Sequence, residues 1–77
     1  MKLILDQHIW PHDTIYLLKE PVEFEFEGED QLNFLEFRGI VVAARSINQL
    51  AEEFWNSIRE RVESGEDYSN YLTVYSK

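Results

Sequence analysis

Hydrophobic and polar residues alternate most cleanly over Val22 to Glu27. Val22, Phe24 and Phe26 fall on one side, and Glu23, Glu25 and Glu27 on the other. A period of two marks a strand with one buried face. Gly28 to Gln31 is a polar break of hairpin length, which predicts that Leu32 to Arg38 returns against it. Gly39 reads as a bulge or bend, and Ile40 to Ala44 as a short, well-buried strand. Upstream, Lys2 to Trp10 has strand composition but poor alternation. Pro11 ends it, since proline cannot donate to a ladder. His12-Asp13 reads as a turn, and Thr14 to Leu18 as a second strand edged or interrupted by Pro21.

The period changes after Ala44. Ile47, Leu50, Ala51, Phe54, Ile58 and Val62 recur at helical spacing and form one apolar stripe. Ser46 and Gln49 have capping-box spacing, and Ser64-Gly65 supplies a stop. Glu52 and Glu53 lie toward the positive end of the helix dipole, Arg59 and Arg61 toward the negative end. The pattern predicts a helix from Ser46 to about Ser64. Trp55 lies off the stripe centre, one turn before Arg59. Its expected place is the core edge, over Arg59 as a cation–π pair; the alternative is an interface anchor. Beyond Gly65, Tyr71 to Tyr75 has strong β composition, although Tyr68, Leu72 and Tyr75 also fit a short helix.

These elements predict an α+β fold: a small antiparallel sheet of three to five strands, covered on one face by one long amphipathic helix. At 77 residues the chain reads as a single domain. Residues 1–45 form its strand and hairpin region, 46–64 its helix, and 65–77 a C-terminal strand or tail. A chain this short buries only about 60% of its unfolded surface, so its core is marginal. It has no cysteine, which excludes disulfides and thiolate zinc sites.

Charge changes the functional picture. With 15 acidic and 7 basic residues the net charge is −8, a field that repels phosphate and disfavours direct nucleic-acid binding. It attracts a basic protein, though an acidic surface also simply keeps a small protein in solution. The N-terminus lacks the long apolar run of a signal peptide. No stretch approaches the roughly 20 apolar residues of a membrane span. Cytoplasmic location is the expectation.

Candidate chemistry is sparse. His8 and His12, with Asp6 and Asp13 nearby, have the residue types of a zinc site. However, Trp10-Pro11 between the two histidines denies them a common helix face. There is no Gly-x-Ser-x-Gly elbow and no glycine-rich phosphate loop, so neither an enzyme nor a cofactor site is expected. The run Glu20, Glu23, Glu25, Glu27, Glu29, Asp30 is either a solvated face or a docking surface for a cationic partner that relieves its repulsion. Tyr68, Tyr71 and Tyr75 read as core or sheet edge, with strand addition across a dimer as the alternative.

The order strand, acidic hairpin, strand, Gly39, apolar strand, capped helix resembles the HicB-like antitoxin family over about Tyr16 to Glu63. That family's helix start, Gly-x-[Ser/Thr]-x-x-Glu-Ala, is matched by Ala44 to Ala51. Ser46 stands at the capping position and Gln49 at that of the Glu; Ala44 and Leu50 replace the family's Gly and Ala. The resemblance implies an inhibitor that covers a small, basic HicA-type ribonuclease. Few residues follow the helix, so it implies a partial member without the family's C-terminal DNA-binding domain.

The favoured reading is therefore a small acidic protein-binding module for a basic partner, which the resemblance implies is a small toxin. Its expected partner-binding residues are Glu23, Glu25, Glu27, Glu29, Asp30, Trp55, Tyr71 and Tyr75. The alternatives are a structural homodimer or subunit, and a phage-type inhibitor that mimics nucleic-acid charge.

Overall fold

A computed structural model describes residues 1–12 and 14–76. The fold is α+β. In chain order it runs β1 (Lys2–Ile9), β2 (Thr14–Glu25), β3 (Asn33–Phe37), β4 (Ile40–Ala44), α1 (Ile47–Glu63) and β5 (Leu72–Ser76). All pairings are antiparallel, but the five strands form two sheets rather than one: β1-β2-β5 and β3-β4. The helix packs on β4 and touches β1. One core cluster joins all of them, from Leu5, Tyr16 and Leu18 through Leu35, Ile40 and Val42 to Phe54, Ile58 and Leu72.

The expected hairpin between Val22–Glu27 and Leu32–Arg38 does not form. Val22 to Glu25 pairs instead with Lys2 to Leu5. The reason lies at Arg38-Gly39, whose φ angles of 49° and 87° are both left-handed. Two successive positive φ values make the mirror-image turn whose twist suits a two-residue hairpin. It places Phe37 opposite Ile40 and closes β3 on β4 locally. Gly39 thus serves a turn, and the polar break before β3 is a connection between sheets.

Thr14 to Glu25 is a single strand, not two. Its pairing with β1 jumps from Leu5↔Val22 to Gln7↔Leu17, so Asp6 alone faces the stretch Leu18 to Pro21. Pro21, which has no N–H, sits where no ladder bond is required. Leu18 pairs on the other side with Leu72, and the Lys19 N–H donates to the Tyr71 carbonyl at 2.9 Å. The Tyr71–Tyr75 segment accordingly resolves in favour of a strand, from Leu72 onward.

The helix ends lie within a residue of those expected. The Ser46 hydroxyl accepts from the Gln49 N–H at 3.1 Å. At the other end Gly65, with φ of 98°, donates to Val62, and Glu66 donates to Arg61. Those two bonds are the paired closure of a left-handed C-cap. The buried arc is wider than the predicted stripe: Leu50, Phe54, Trp55 and Ile58 are all buried. Trp55 joins them because the end of β1 lies along that flank. The His8 ring stacks on Trp55 at 5.5 Å and 21°. Among the described residues no helix is long and apolar enough to cross a membrane.

Candidate functional site: an acidic groove beside the helix start

The segment from Phe26 to Leu32 links the two sheets, and one side chain holds it. Asn33, the first residue of β3, is 3% exposed and is the one buried polar residue among those described. Its carbonyl oxygen accepts from the Glu27 N–H at 2.8 Å. Its amide nitrogen donates to the carbonyls of Gly28 at 2.9 Å and Gln31 at 3.1 Å. Asn33 therefore supplies the backbone partners that a turn otherwise finds in itself. Arg45 adds a bond to the Asp30 carbonyl at 3.2 Å. The sequence reading missed Asn33. The available signal was an Asn opening a strand, where that residue type is depleted.

This anchoring fixes a groove of about 410 Å³ lined by Met1, Phe26, Glu27, Gly28, Glu29 and Ile47. Met1, Phe26 and Ile47 supply apolar wall. Glu27 and Glu29 supply carboxylates, both exposed. Ile47 is the first residue of α1, so the groove lies beside the helix start. Neither Glu27, Glu29 nor Asp30 is within ion-pair distance of a cation among the described residues.

Glu23 and Glu25 stand on the outward face of β2, as their alternation predicts. Each already has a cation. Lys2 Nζ lies 2.7 Å from Glu23, and the N-terminal ammonium lies 3.0 Å from Glu25. The Lys2 hydrogen bond holds the Glu23 carboxyl below its ordinary range, and Glu23 raises Lys2 in return. Both groups are exposed, so the pair adds little stability. It does leave Glu23 and Glu25 less available to an outside cation than Glu27, Glu29 and Asp30.

The aromatic candidates lie elsewhere. Trp55 is 3% exposed, which removes it as an interface anchor. Nor does it carry Arg59, whose guanidinium lies 4.6 Å over Trp10. Tyr71 is half-buried beneath the Arg38 guanidinium, 4.2 Å from its ring centre, and meets the edge regions of Phe37 and Tyr68. Tyr75 is exposed on β5 opposite Ile15. Glu25 lies ten positions after Ile15 on β2, about 30 Å along a strand. The eight expected residues therefore do not form one site; the acids gather at one end of β2 and Tyr75 stands at the other.

A second groove, about 580 Å³, runs between the end of β1 and α1, lined by His8, Trp10, Asn48, Glu52, Trp55 and neighbours. Its ring faces are already used: His8 covers Trp55 and Arg59 covers Trp10. His12 lies exposed in the turn with φ of 61°, and Asp13 lies outside the described residues. No group of three or more potential ligands capable of holding a metal occurs among the described residues.

Burial pushes the His8 pKa below its ordinary 6.5. The unfolded chain then binds the proton first, so this group's contribution to stability falls as pH drops below about 6.5. Replacing His8 by Phe is expected to remove that component. Urea melts of both proteins at pH 7.5 and 5.5 check it: the wild type should lose more stability than H8F, and equal losses would contradict the assignment.

No protein-family model matches the chain, and no match was found among the curated proteins or the solved structures.

Proposed function

We propose that the protein is an acidic protein-binding module whose partner inserts a lysine or arginine into the groove at Met1, Phe26, Glu27, Glu29 and Ile47. The observation that carries this reading is the composition of that groove. Apolar walls suit the methylene stem of a basic side chain, and carboxylates at the rim suit its charged head. The loop is held by Asn33 before any partner arrives, which lowers the ordering cost of binding.

The finer reading is an antitoxin-like inhibitor of a basic ribonuclease. What supports it is the resemblance over Tyr16 to Glu63, above all the capped helix start at Ser46, together with the acidic loop that precedes it.

Affinity capture on the intact chain from its native host tests the broader reading. At low salt a basic protein is expected on the column, released as ionic strength rises toward 0.3 M, because the contact is charge-driven. Recovery of no basic partner at low salt would contradict it. Co-expression with a small basic neighbouring gene product tests the finer one: toxicity of the neighbour, relieved by this chain, is expected.

A further inference from the structure

Along β2 the outward positions change character. Near the end they are Glu23 and Glu25; near the start they are Ile15 and Leu17, which alternate with the buried Tyr16 and Leu18. The register carries the apolar section across the sheet. Ile9, Ile15 and Tyr75 form one row, and Gln7, Leu17 and Thr73 the next. Ile9 is 52% exposed and Tyr75 51%. None of these apolar residues belongs to the core cluster or packs on it. An antiparallel sheet with one face on a core ordinarily shows polar residues on the other, as the Glu23 end of the same strand does. The Ile15 end departs from that rule.

We propose that this face is a contact between two copies of the chain, packed sheet to sheet about a two-fold axis. A two-fold contact sets a patch against a copy of itself, so a patch with a net charge meets that same charge. These six residues carry none. The nearest charges along the strands, Asp6 on β1 and Lys19 on β2, are opposite in sign. The other exposed apolar face, Phe34 and Val41 on the β3-β4 hairpin, has Glu36 paired directly with Val41. A two-fold contact there would bring two copies of that negative charge into one interface. In a chain of net charge −8 the uncharged face is where a second copy meets least repulsion.

The size of the patch sets the strength. Six residues a side fall well short of the roughly 20–30 of a stable interface, so the dimer is weak. Salt gives it a signature. Screening removes the long-range repulsion between two acidic copies and leaves the apolar contact intact. Dimerisation therefore strengthens with salt, whereas binding at the acidic groove weakens. The two proposals stand or fall separately.

Sedimentation equilibrium of the full chain from about 20 μM to 1 mM, at 50 and 500 mM NaCl, tests this. The expected result is a reversible dimer, tighter at high salt. The charge-neutral double variant I9Q/Y75Q should weaken it at least tenfold, while F34Q behaves as wild type. Both substitutions fall on half-exposed side chains, and circular dichroism checks that each variant is folded; I9Q alone gives the same reading at smaller size. A monomer at 1 mM in both salts would overturn the proposal. So would a dimer that survives I9Q/Y75Q, or one lost in F34Q.

Discussion

Phe54→Ala is expected to cost about 3–5 kcal/mol and leave the chain partly unfolded at room temperature. Phe54 is fully buried at the centre of the helix face. Its ring meets the rings of Phe37 at 5.6 Å and Trp55 at 5.1 Å, both near edge-to-face. It therefore ties the helix to the β3-β4 hairpin on one side and to the aromatic flank of β1 on the other. At 0.05–0.15 kcal/mol per residue, a chain of this length has a total stability of only about 4–12 kcal/mol. One cavity here removes much of it. A urea melt followed by tryptophan fluorescence checks the loss. A change under about 1 kcal/mol would mean that the helix is not held by this cluster.

Asn33→Ala is expected to cost about 2–4 kcal/mol, an unusual loss for removing an amide. The cost comes from what is left behind: the Glu27 N–H and the Gly28 and Gln31 carbonyls lose their partner at a part-buried site. Asn33→Asp separates hydrogen bonding from volume. A carboxylate still accepts from Glu27, but it cannot donate to the two carbonyls, and it adds a buried charge beside Glu27 and Glu29. It should be at least as harmful as Ala. Hydrogen exchange supplies a local readout, with faster exchange at the Glu27 amide in both variants. Wild-type stability in Asn33→Asp would contradict the account of the loop.

The elements of this fold were largely legible in the sequence, and their partners were not. The helix could be read because its signals are local: a Ser46 cap, a 3.6-residue period, a Gly65 stop. The strand at Val22 to Glu25 could be read from its period of two. Its pairing could not, because pairing depends on which turn closes first. The Gly28–Gln31 break has hairpin length, but Arg38-Gly39 forms the tighter turn. Arg at a left-handed position is a weak sequence signal, and it hid that preference.

The same distinction holds at the candidate site. The acidic run was plain, and Glu27, Glu29 and Asp30 are exposed where a partner could reach them. That Lys2 and the N-terminus would occupy Glu23 and Glu25 required knowing that β1 pairs with β2. Trp55 was placed by helical angle alone, which takes no account of His8 arriving from β1 to stack on it. Asn33 was missed because its role is defined by a loop that closes around it. In each case the missing information was a contact between segments distant along the chain.

Isothermal titration of the captured basic partner is the measurement closest to the central claim. The protein would be compared with the double variant E27Q/E29Q, and with E66Q as a remote loss of charge outside the groove. The account predicts that E27Q/E29Q weakens binding by roughly tenfold or more at 50 mM salt, with a smaller gap at 300 mM, while E66Q stays within about twofold of wild type. Equal affinity for E27Q/E29Q and wild type would place the contact elsewhere on the molecule and contradict the groove as the binding site.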